Sequence, residues 1–106
     1  MDNFKAIYRI LKELDRHKGD EDFDVGCILP EALRVPETDW EQIMIELARA
    51  GYVDGVSYTK ALGDKFPHLA YPIAPRITLK GMEYLAENSM MQKAANLSKG
   101  IVDIVT

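Results

Sequence analysis

Between Pro36 and Gly51 the chain places Trp40, Ile43, Met44, Leu47 and Ala48 on one face of a helix. Directly past Gly51 the pattern changes to a β-favouring run, Tyr52, Val53, Val56 and Tyr58 around Gly55. That switch of period leaves few architectures, because a one-sided helix feeding a short hairpin must bury its apolar stripe against further elements. Pro36 suits a first helical turn, and Thr38-Asp39-Trp40-Glu41 offers the Thr-x-x-Glu spacing of a capping box as an alternative start. Gly51 suits the C-terminal cap. Trp40 reads as core from its place in the stripe.

The flanking segments supply those further elements. Phe4, Ile7, Tyr8, Leu11 and Leu14 predict a first amphipathic helix, ended by Gly19 and the acidic run Asp20-Glu21-Asp22. A short second helix is expected within about Val25 to Leu33, with Pro30 in its first turn. A second β-favouring run spans Tyr71 to Thr78, but Pro72 and Pro75 cannot donate ladder hydrogen bonds, so it reads as an edge or interrupted strand. Thr78 suits the cap of a fourth helix carrying Leu79, Met82, Tyr84 and Leu85, with a break expected at Asn88 or Ser89. From Met90, helical spacing returns through Ala94, Leu97, Ile101 and Val105. With 106 residues the chain suits one core, burying roughly 65% of its unfolded surface.

The expected fold is therefore α+β and mostly helical: a winged helix-turn-helix of three helices, a β-hairpin wing and a helix, with an extra C-terminal helix. Residues 1–88 form the winged-helix domain, and residues 89–106 form a helical extension packing on the body or on a partner chain. The run Arg76-Ile77-Thr78-Leu79-Lys80-Gly81-Met82-Glu83-Tyr84-Leu85, a strand ending in Ile-Thr followed by Leu-Lys-Gly and a helix, resembles the wing exit of many winged-helix proteins. Extended to Ala95 through Glu87-Asn88-Ser89-Met90-Met91, and joined by Leu33 to Tyr52 with its Ala50-Gly51-Tyr52, it is similar to the YjcQ-like family of small winged-helix proteins, often encoded in prophages. That resemblance spans most of the chain. It implies a cytoplasmic, phage-related protein and brings no catalytic residues with it.

Function must be argued from surfaces rather than from the fold. Glu37 to Ala50, the segment in the recognition position, holds four carboxylates against Arg49 alone. The face opposite Trp40 carries Glu41, Gln42, Ile45, Glu46 and Arg49, and phosphates flanking a major groove would repel it. Ile45 among carboxylates suits either a protein partner or packing against the wing or the second helix. Residues 1–53 carry 7 basic and 12 acidic side chains, while residues 54–106 carry 6 and 5, so free positive charge lies near the wing. There Lys60, Lys65, His68, Arg76 and Lys80 suit phosphate contacts, or simply make a solvated surface.

Other constellations carry less chemistry. Asp20, Asp22, Asp24 and Glu31 match positions 1, 3, 5 and 12 of a calcium-binding loop, but Val25 stands where the turn needs glycine, which favours an acidic helix-linking loop. His17, His68 and Cys27 have no zinc spacing, and Cys27 among Val25, Ile28 and Leu29 reads as core. No catalytic or nucleotide-binding motif occurs. The expectation is a non-enzymatic interaction or regulatory module with no metal and no cofactor. It would bind protein, or a second copy of itself, through the acidic third helix or through the C-terminal helix with Leu97, Ile101 and Val105. The alternative is a DNA-binding regulator working through its wing. A cytoplasmic setting follows from a start, Met1 to Lys5, without the basic and apolar regions of a signal peptide. No run of the sequence approaches the roughly 18 apolar residues of a membrane span.

Overall fold

The computed structural model describes residues 3–97, with side chains through residue 88. Its elements run α1 (Asn3–Arg16), a 3-10 turn (Val25–Ile28), α2 (Pro30–Leu33), α3 (Glu37–Arg49), β1 (Val53–Asp54), β2 (Ser57–Thr59), β3 (His68–Ala70), β4 (Arg76–Ile77) and α4 (Leu79–Leu97). The class is α+β, and this order is consistent with a winged-helix-like fold. The second helix forms in two pieces: Asp24 caps the 3-10 turn by accepting from the Gly26 N–H at 2.8 Å, and Pro30 opens α2.

The core joins α1, the 3-10 turn, α2, α3 and the wing through Ala6, Ile10, Leu11, Leu14, Ile28, Leu33, Trp40, Met44 and Ile45, among others. α1 lies against α4, β4, the 3-10 turn and α3. Its inner face is centred on Ala6, Ile10 and Leu14, one step round from the expected stripe, which leaves Phe4 71% exposed and Ile7 and Tyr8 half-buried. Trp40 is core, as its spacing predicts, and its indole N–H donates to the Ile28 carbonyl at 2.7 Å. That bond fixes α3 against the 3-10 turn and satisfies a buried polar group that would otherwise destabilise the core.

Pro36 takes the cap position of α3, so Thr38 falls inside the helix and no capping box forms. At the far end, Gly51 with φ 86° closes the helix: the Gly51 N–H donates to Ala48 O and the Tyr52 N–H to Leu47 O. Two further carbonyls at this end are taken by the start of the fourth helix, with Thr78 Oγ1 donating to Gly51 O at 2.6 Å and Lys80 Nζ to Ala50 O at 3.0 Å. Thr78 Oγ1 also accepts from the Gly81 N–H, which makes Thr78 the expected cap of α4.

The wing is one hairpin in two tiers. At its base β1 pairs antiparallel with β4, and further out β2 pairs with β3 in the register Ser57↔Ala70, Tyr58↔Leu69, Thr59↔His68. The outer return strand therefore begins before Tyr71, and residues 71–75, with both prolines, bulge between the tiers. Gly55, φ 78°, turns the other strand here, and a Cβ on it would strike the Ala74 carbonyl. The break expected at Asn88 or Ser89 does not occur. Asn88 Nδ2 donates to Tyr84 O at 2.9 Å within the helix, and α4 runs on to Leu97, across the boundary placed at residue 88.

Candidate interaction surface

α3 would present its outer face to DNA, but the wing lies on that face. β3 and β2 both pack against α3. Glu41 reaches across with both oxygens: Oε1 is 3.1 Å from His68 Nδ1 and Oε2 accepts the Leu69 N–H at 3.0 Å. Gln42 Nε2 donates to the Pro67 carbonyl at 3.2 Å. Beneath them Ile45 is fully buried, and Leu69 is 7% exposed. Ile45 is therefore no partner contact; it takes the alternative role of packing beneath the wing. Glu46 and Arg49 stay exposed but pair with each other at 2.8 Å, and the Arg49 guanidinium sits 5.6 Å from the centroid of the Tyr58 ring. The five residues expected to meet a partner on α3 are thus largely committed within the chain.

The five residues expected to contact phosphate from the wing half do not form one patch. Lys80 is spent on the end of α3 and lies over Tyr52, 5.3 Å from its ring centroid. His68 faces Glu41. Arg76 stands at the wing base, on the wall of a cleft of about 330 Å3. Lys60 and Lys65 alone reach the tip, where both are exposed and neither has a side-chain partner among the described residues. Between them the tip turn is closed by Asp64, whose Oδ2 accepts the Ala61 N–H while its own N–H donates to Ala61 O, both at 3.0 Å. That turn pushes Leu62 fully into solvent, with Phe66 60% and Tyr71 64% exposed nearby along the hairpin. Sequence reasoning missed these three. For Leu62 the signal was a large apolar residue in the Gly63-Asp64 turn between Lys60 and Lys65; Phe66 and Tyr71 follow that turn, each beside a proline.

The acidic loop is used locally, Asp20 accepting from the Asp22 N–H and Asp24 capping the 3-10 turn. Among the described residues no group of His, Cys, Asp and Glu is placed to hold a metal ion. Cys27 is half-buried with its thiol donating to Asp24 O; burial first, then the nearby Glu13 carboxylate, push its pKa up and keep it protonated. No helix among the described residues is long and apolar enough to cross a membrane. Leu97 ends α4, beyond the described side chains, and Ile101 and Val105 lie outside the described residues.

With this geometry in place, comparison with known proteins gives consistent findings. A family profile described as YjcQ protein matches residues 8–104. A protein of Bacillus subtilis strain 168, described as uncharacterized protein YjcQ, is 36% identical over 104 residues, which cover 97% of each chain. No solved structure gives a significant match.

Proposed function

The chain belongs to the YjcQ family, and from that premise we propose that it is a non-enzymatic winged-helix interaction module which binds protein through the tip of its wing. The observation that carries this reading is the seal over α3: with Glu41 and Gln42 bonded to the wing and Ile45 buried, the outer face of α3 is not open to a major groove. What the wing leaves open is its own tip, with apolar Leu62 between Lys60 and Lys65 and Phe66 directly after Lys65. Apolar and aromatic contacts ringed by charge are the composition of a protein interface rather than of a phosphate-tracking surface. The overall charge of -4 adds to the repulsion of nucleic acid. A cytoplasmic setting and the absence of catalysis belong to the same reading.

One observation favours a second reading: Lys60 and Lys65 are unpaired among the described residues, as phosphate-binding lysines would be. Titration of a labelled random duplex at about 20 and 200 mM salt separates the two. The protein-binding module gives no complex at about 10 µM protein even at the lower salt. Binding that weakens linearly in log salt, and is lost in K60E/K65E, would replace it with DNA recognition by the wing.

A further inference from the structure

Resting on the wing as a protein-contact surface, we infer that its partner is a second copy of the same chain, bound wing to wing with each tip seated in the other's basal cleft. The large apolar side chains exposed among the described residues are Phe4, Tyr58, Leu62, Phe66, Tyr71 and Leu79, and four of the six lie on the wing. A cleft complementary to the tip lies at the base of the same wing. Leu14, Phe23, Val25 and Ile73 give it apolar walls, and its lip is the acidic loop with Asp20 and Glu21, followed by exposed Asp22. α1 ends beside it, adding the negative end of a helix dipole. An apolar plug flanked by Lys60 and Lys65 matches an apolar cleft with a carboxylate lip. Of the cleft's own cations, Lys18 is held by Asp15 at 3.3 Å and donates to Met82 Sδ, which leaves Arg76 on the opposite wall.

The hairpin makes this match self-complementary. Arg76, on the cleft wall, stands opposite Asp54 in the β1–β4 register, and Lys60 lies six residues further along that arm of the hairpin, at most about 20 Å away. A twofold axis crossing the wing midway, near Val56 and Tyr71, lays two wings antiparallel and delivers both tips to both clefts at once. Such an isologous contact closes at two copies. It covers Leu62, Phe66 and Tyr71 on each chain, a small interface of the kind that dissociates at about micromolar concentration.

The test is sedimentation velocity on the full chain from about 1 to 500 µM. The mass should rise with concentration from 12.0 kDa to twice that value. L62E/F66E should raise the dissociation constant about a hundredfold or more. Because both side chains project into solvent, its circular dichroism and thermal unfolding should match the parent. K60E/K65E and E21K/D22K should each weaken the dimer, and the four changes combined in one chain should restore it to within about tenfold of the parent. A wild-type mass of 12.0 kDa throughout overturns the inference, as does a dimer that persists in L62E/F66E, since its interface lies elsewhere. A monomer that binds no duplex sinks the dimer alone. Salt-sensitive duplex binding abolished by L62E/F66E, through Leu62 wedging between bases, sinks both the dimer and the protein-contact reading.

Discussion

Replacing Glu41 with alanine should release the wing from α3, and the size of the effect follows from its two bonds. The Leu69 N–H donates to Glu41 Oε2 at 3.0 Å on a residue only 7% exposed, so truncation strands a donor away from water. A hydrogen bond to a charged acceptor at such a site contributes about 1.5–3 kcal/mol. The second oxygen meets His68, whose side chain is 57% exposed, so that half of the clasp is screened by solvent and adds at most about 0.5–1 kcal/mol. E41A should thus destabilise the fold by about 2–3 kcal/mol, lowering the midpoint of thermal unfolding by about 8–12 °C. H68A removes only the screened pair and should cost less than about 1 kcal/mol, while E41Q keeps an acceptor for Leu69 and should fall between. Urea unfolding followed by circular dichroism measures all three, with equal slopes confirming that stability alone has changed. If E41A and H68A are indistinguishable and both lie within about 0.5 kcal/mol of the parent, the clasp does not hold the wing.

Other consequences are as direct. W40F deletes the donor to Ile28 O at 2.7 Å and trims a fully packed side chain, and should lose about 2–3 kcal/mol in the same urea assay. G55A puts a Cβ into the Ala74 carbonyl at φ 78° and should lose about 2 kcal/mol or more, with the backbone amides of residues 53–77 shifting most in an NMR spectrum. Burial first, then Glu13 for Cys27 and Tyr52 for Tyr84, raises both pKa values above the ordinary 9.0 and 10.0. The unfolded chain then releases these protons first, so the stabilisation is complete below pH 9 and is lost as pH rises through the raised values. Thermal unfolding from pH 8 to 11 should show that decline, shallower in Y84F; a flat profile would contradict it.

The sequence was most readable where local chemistry decides the outcome. The stripe through Trp40 and Leu47, the Gly51 cap and the Thr78 cap depend on neighbours within a turn or two, and each forms where the pattern places it. The run from Arg76 to Ala95, with Leu33 to Tyr52, pointed to the family that the chain matches over residues 8–104. Contacts across the fold were less readable. Glu41 fits a capping box by spacing, yet its carboxylate is drawn 28 residues away to Leu69, because Pro36 already starts the helix and the wing offers an unpaired amide. Ile45 looked outward only because it lies opposite Trp40; nothing local announces that a hairpin will cover it. Asn88 looked like a helix breaker, but α4 continues through it, with its side-chain amide donating to the Tyr84 carbonyl one turn back. The exposure of Leu62 depends on how Asp64 closes the tip, which no periodicity encodes.

The wing lies on α3 through the Glu41 clasp, and hydrogen exchange at the Leu69 amide reports that contact directly. In the strand register Leu69 faces Tyr58, while its N–H turns to Glu41, so its protection depends on the clasp. Native-state exchange followed by NMR should find this amide slowed at least about a hundredfold relative to an unstructured chain, and released in E41A while the α1 and α3 amides stay protected. Exchange of the Leu69 amide at the unprotected rate in the parent protein would mean that the wing stands free of α3, and would return the outer face of that helix to the candidate surfaces.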